Sequence, residues 1–97
     1  MSYIDSTEKI LAEELEAAGW PAPEQDPGLL KLYTLLTLTK GKKVTLEDVH
    51  DAWSVWRRDA QPGHRSIVPF GDLSPDVQAM DQMYRDAIAK AACRVDE

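Results

Sequence analysis

Apolar positions recur at helical spacing in four segments of the chain. Ile4, Leu11, Leu15 and Ala18, with Ile10 beside them, form the first stripe. Asp5 and Glu8 stand at the spacing of a capping box, in which each side chain takes a free backbone N–H of the first turn. The first helix is therefore expected to start at Asp5 or Ser6, cover about 5–18 and stop before Gly19, with Glu8, Glu13, Glu14 and Glu16 in water. Two prolines in the stretch from Trp20 to Asp26 make it a linker, from which Trp20 is expected to fold back on the core. Asp26-Pro27 reads as an N-cap and first helical residue. The second helix then covers about 27–40 and ends at Gly41. Its leucines and Tyr33 lie nearly all round it, and Lys31, Thr34 and Thr37 leave one narrow polar stripe. Such a helix is central and mostly buried, and each buried leucine contributes roughly 1.5–3 kcal/mol.

Thr45 with Asp48 marks the next N-cap, for a helix over about 45–59 with Leu46, Val49, Trp53 and Trp56 as its apolar stripe. Arg57 and Arg58 close it with cations that suit the C-terminal dipole. A long loop follows to Leu73, and its Ile67-Val68-Pro69-Phe70 run is too apolar to be left in water. Ser74-Pro75 restarts a helix over about 74–93, which is expected to turn Val77, Met80, Tyr84, Ala87, Ile88 and Ala91 inward and to fray at its end. The pattern predicts an all-α fold: a compact four-helix single domain with a long ordered loop between the third and fourth helices.

Composition narrows the function more than the fold. The chain has 97 residues, enough for one core. Its 43% hydrophobic and 29% charged residues are not the signature of disorder. A formal net charge of -6 argues against nucleic acid, because phosphate binding needs a basic stripe and the longest basic run is Lys40, Lys42 and Lys43. The only cysteine, Cys93, cannot form an internal disulfide. No apolar run approaches the ~18 residues of a membrane span, and a cytoplasmic location is expected.

No catalytic motif stands out. His50, His64 and Cys93 are scattered, without the clustered spacing that zinc ligation requires, and no metal or cofactor is expected. Cys93 lies near a helix C-terminal end, which disfavours the thiolate. The carboxylates sit on solvated helix faces, and the phosphate-loop pattern is absent. Two places remain. His50 and Trp53 share a helix face, where His50 is either a half-buried histidine donating to a carbonyl of the loop or, with Trp53, the wall of a pocket for a planar ligand. Arg57, Arg58, His64 and Arg65 flank the turn after the third helix, either as a solvated turn or as a site for an anion or an acidic partner. With Trp56, these residues are the candidate ligand or partner surface. Asp81 is expected to tie the fourth helix to the loop. Trp53→Ala is expected to cost ~3–5 kcal/mol if its ring is core.

From Val44 to Ile88 these residues together resemble the RyR-type (ryanodine-receptor repeat) domain. His50 and Trp53 match its H-x-x-W pair; His64, Ile67, Val68, Pro69, Phe70 and Leu73 match its loop; Asp81 and Ile88 match its last helix. The chain lacks the usual G-W-x-Y-G insertion between the two motifs, and Arg65-Ser66 stands where the family often has proline. The whole chain is similar in style to small proteins of actinobacteria and their phages. The resemblance implies a non-enzymatic binding module. The leading expectation is a protein-interaction factor, a phage-encoded one acting on a host protein included, with a homodimer also open. The alternative it implies is a sensor or anti-defence protein that binds a nucleotide-like small molecule.

Overall fold

A computed structural model of the chain describes residues 2–19 and 27–95, so Trp20 and the Asp26 cap lie outside the described residues. The fold is all-α, four helices in one domain: α1 (Tyr3–Ala17), α2 (Pro27–Thr39), α3 (Leu46–Ala60) and α4 (Pro75–Val95). Short 3-10 turns at Gly41–Lys43 and Phe70–Asp72 interrupt the connections, and the described residues contain no strand. α4 is the spine, packing against the other three helices, while α2 bridges α1 and α3. Leu11, Leu15, Tyr33, Val49, Ile88 and Ala91 form the centre of the core.

The start of α1 corrects the sequence expectation. Ser2, not Asp5 or Ser6, is the N-cap, and Asp5 is its partner in the capping box, with Asp5 N donating to Ser2 Oγ at 3.1 Å and Ser2 N donating to Asp5 Oδ2 at 3.2 Å. Two boxes overlap in this sequence, and the earlier one adds a turn whose Tyr3 and Ile4 stay exposed. The inward stripe is consequently Thr7, Leu11 and Leu15.

α2 is corrected in rotation. Thr34 and Thr37 are buried, and Leu35 is 54% exposed with Leu38 also outside. The threonines are tolerated inside because each hydroxyl donates within its own helix, Thr34 to Leu30 O at 2.8 Å and Thr37 to Tyr33 O at 2.9 Å. A buried hydroxyl satisfied in this way is no longer a polar cost, and its small bulk allows close helix packing.

Gly41 follows α2 at φ +56. Any other residue is strained there, so Gly41→Ala is expected to cost about 1–2 kcal/mol in a urea titration. Space is not the obstacle, since an added Cβ meets Ala92 Cβ at 3.7 Å.

α3 begins with the expected Thr45–Asp48 box. α4 begins at Pro75, with Val77 N donating to Ser74 Oγ at 3.4 Å. Among the described residues it runs to Val95, and Arg94 pairs with Glu13 at 2.9 Å and Glu14 at 3.2 Å on α1; the residues beyond lie outside the described ones. Met80, expected inside, is 66% exposed. Among the described residues no helix is long and apolar enough to cross a membrane.

Candidate functional site

α3, α4 and the loop between them enclose a cleft of about 410 Å³. His50, Trp53, Trp56 and Arg57 enter it at successive turns of α3, His64 and Ser66 from the loop, and Val77, Asp81 and Tyr84 from α4. Leu29 of α2 and Met80 of α4 line it as well. Five of the seven residues singled out from sequence are therefore gathered here. Arg58 and Arg65 are not; both are exposed and face water.

His50 is 2% exposed. Its Nε2 lies 2.6 Å from Val68 O, 18 residues further along the chain. A carbonyl only accepts, so Nε2 carries the hydrogen and donates it. This bond pins the loop to α3. The ring also stacks on Trp53 at 5.8 Å and meets the edge of Phe70 at 6.2 Å. The apolar loop run is less buried than its composition suggested: Val68 and Pro69 are exposed, and Ile67 and Phe70 are half-buried. The loop is held by polar ties as well, since Gln78 Nε2 donates to Phe70 O at 3.0 Å and Leu73 O at 3.2 Å.

His64 caps its own turn, with Nδ1 accepting from Ser66 N at 3.1 Å, and its ring meets Trp53 edge-on at 5.3 Å. Trp53 thus stands between two imidazoles as a partly buried wall. For that reason Trp53→Ala is expected to cost about 1–2 kcal/mol in chemical denaturation, less than loss of a fully buried ring. Arg57 lies over the Trp56 ring at 5.6 Å and donates through Nη2 to Gln61 Oε1 at 2.8 Å, while its Nε is buried with no hydrogen-bond partner.

Asp81 is the residue the sequence underrated. It does not tie α4 to the loop. It is 8% exposed and faces His50, with Oδ2 3.9 Å from Nδ1. That gap is too long for a hydrogen bond, and Oδ2 is buried with no partner. Burial pushes the Asp81 carboxyl above the ordinary aspartate range, and the nearby His50 ring pulls it part of the way back.

Ser54 Oγ lies 3.4 Å from His50 Nε2, so serine, histidine and aspartate stand in a row. The row lacks the geometry of nucleophilic catalysis. A general base needs a free lone pair toward the hydroxyl, and here Nε2 carries a hydrogen committed to Val68 O. Among the described residues no three His, Cys, Asp or Glu side chains cluster as metal ligands would.

A family model described as a domain of unknown function (DUF7701) matches residues 2–93. The chain belongs to that family. The DUF7701 match takes in all four helices and the cleft, nearly the whole chain, whereas the RyR resemblance rests on residues 44–88. No curated protein and no solved structure matches the chain.

Proposed function

We propose that the domain is a non-enzymatic binding module whose cleft holds a small planar ligand. One observation carries this reading: Asp81 Oδ2 lies buried and unpartnered among aromatic walls. Such an atom costs about 1–3 kcal/mol, and groups with shifted pKa values in a cleft concentrate at functional sites. The volume of about 410 Å³ is in the ordinary range for small-molecule sites. Trp53, Trp56 and Tyr84 supply flat apolar surface. The likeness of residues 44–88 to RyR-type domains points to a nucleotide-like ligand and a sensing or anti-defence role. Thermal unfolding against a nucleotide panel tests it. A ligand at 100 times its dissociation constant adds ~2.7 kcal/mol, which raises Tm by roughly 10–20 °C in a domain of this size. No shift with any nucleotide removes the nucleotide-like ligand.

A protein partner is the second reading, supported by the outer face of α2 and α3. Leu35 and Val55 are exposed there, beside Leu32, Leu36 and Ala52, with Asp48 and Asp51 on the same face. Apolar side chains gathered on one face serve interfaces more often than scattered ones do. A homodimer, or a host protein bound by a phage-encoded factor, fits this face. Light scattering and a stoichiometric complex abolished by Val55→Glu test it; a monomer whose complexes ignore that substitution counts against it.

A further inference from the structure

We propose that the groove where α2 and α4 end docks an acidic segment of another protein, one that carries apolar side chains between its carboxylates. The proposal is independent of the ligand read into the cleft, and it uses other residues than the α2–α3 face.

The groove measures about 560 Å³ and lies at the opposite end of α2 and α4 from the cleft. Leu38 and Val95 line it and are 38% and 41% exposed, and the buried Ala92 lines it with them. Thr7 and Thr37 are buried parts of the same lining, and their hydroxyls donate to Tyr3 O and Tyr33 O, each at 2.9 Å. Thr39 donates in the same way to Leu35 O at 2.8 Å. The threonine hydrogens are therefore spent within their own helices, and the side-chain donors left for an occupant are the ammonium groups of Lys40, Lys42 and Lys43, all three exposed. No carboxylate lines the groove among the described residues. The lysines stand on an ordered turn. Lys43 N donates to Lys40 O at 3.0 Å and Val44 N to Gly41 O at 3.2 Å. Val44 is buried, and Arg85 Nε reaches from α4 to donate to its carbonyl at 3.1 Å.

Charge selects the occupant. Three of the chain's 11 lysines and arginines fall within residues 40–43, on a protein of net charge -6. An acidic segment is repelled by the rest of such a surface and attracted here, which steers its approach and fixes where it lands. Its apolar side chains cover Leu38 and Val95, while its carboxylates reach the lysines at the rim. Nucleic acid fits less well. Three cations on an acidic body are few against a phosphate backbone, and among the described residues no aromatic ring lines the groove for a base to stack on. An anionic bilayer meets the same repulsion from the acidic body, and a flat surface does not fill a concave groove.

The test uses the full chain, titrated by fluorescence anisotropy and by ¹H–¹⁵N NMR. The probe is a fluorescein-labelled peptide in which leucines alternate with Glu-Asp pairs. Its controls carry Gln-Asn in place of Glu-Asp, or serine in place of leucine. Single-stranded oligothymidylate and phosphatidylserine vesicles are the competing probes. The acidic leucine peptide is expected to shift the amide signals of Lys40, Lys43 and Ala92. It is expected to bind at least roughly tenfold more tightly than the amide control, because each exposed ion pair contributes up to about fivefold and three act together. The serine control is expected to bind more weakly than the leucine peptide. Lys40→Gln, Lys42→Gln and Lys43→Gln combined, all at exposed positions, are expected to erase the preference for acid over amide and to flatten the salt dependence. Arg58→Gln with Arg65→Gln, which removes cations elsewhere, is expected to keep both. Equal binding of the amide control, an unchanged lysine variant, or no saturation at millimolar peptide overturns the proposal and leaves the cleft to its nucleotide panel. Tighter binding of the oligonucleotide or the vesicles overturns it in favour of nucleic acid or a membrane, and self-association abolished by the lysine variant overturns it in favour of a second copy of the chain.

Discussion

His50→Ala is expected to destabilise the domain by about 3–5 kcal/mol, a large part of the 5–15 kcal/mol typical of a native fold. Three losses coincide. The 2.6 Å bond to Val68 O disappears, and with it the tie between α3 and the loop. The space between Trp53 and Phe70 is left unfilled, and cavities of this kind add their own cost. Asp81 keeps a buried charge with no cation or donor near it, the circumstance in which removing one partner costs most. Urea unfolding measures the total. Hydrogen exchange resolves where it acts, with protection falling first in residues 61–73. His50→Gln, which retains a donor, is expected to recover part of the loss. A cost below about 1 kcal/mol would show that the Gln78 bonds to Phe70 and Leu73 hold the loop on their own.

The bond of His50 to a loop carbonyl was legible in the chain, but the approach of Asp81 to its ring was not. His50 sits on the apolar stripe of α3 one turn before Trp53, and a loop too apolar for water follows at a distance that lets it return. Those two facts anticipate a histidine held against a loop carbonyl. Asp81 carried an equally plain signal. It lies four residues after Val77, three before Tyr84 and seven before Ile88, so it stands on the inward stripe of α4. A lone carboxylate on such a stripe is buried by the helix that carries it. Asp81 and His50 are 31 positions apart, and only the antiparallel packing of α3 on α4 brings them together.

The rotation of α2 failed for a different physical reason. Helical periodicity assumes that polar residues seek water, and threonine in a helix satisfies its hydroxyl on the carbonyl one turn back. Thr34 and Thr37 are therefore free to be buried, and the leucines they displace form the outer face of α2. A helix that is apolar nearly all round has no strong preference of its own, so its neighbours decide which side faces in. Arg58 and Arg65 lie outside the cleft, since charge density along a turn does not say which side chains reach it. Arg57 does reach it, at the end of the same α3 face as His50 and Trp53.

Asp81→Asn is expected to move stability and binding in opposite directions. Folding holds the Asp81 carboxyl above its unfolded value of about 3.9, chiefly because burial disfavours the anion. The native state therefore keeps a proton that the unfolded chain has already lost. Its contribution to stability is complete below the unfolded value and declines as pH rises through the raised native value. Asparagine does not ionise, so the variant escapes that decline, and its amide N–H can approach His50 Nδ1. The variant is expected to be more stable than wild type at neutral pH by about 1 kcal/mol, or roughly 4–8 °C in Tm. The difference is expected to shrink as the pH is lowered through the same window. Binding changes the other way: truncating one partner of a buried charged contact costs 2–5 kcal/mol, a loss of at least roughly thirtyfold for any ligand that donates to Oδ2. A more stable protein with an emptied cleft is the outcome that separates a recognition carboxylate from a structural one, because loss of a structural carboxylate would lower stability and leave ligand affinity untouched.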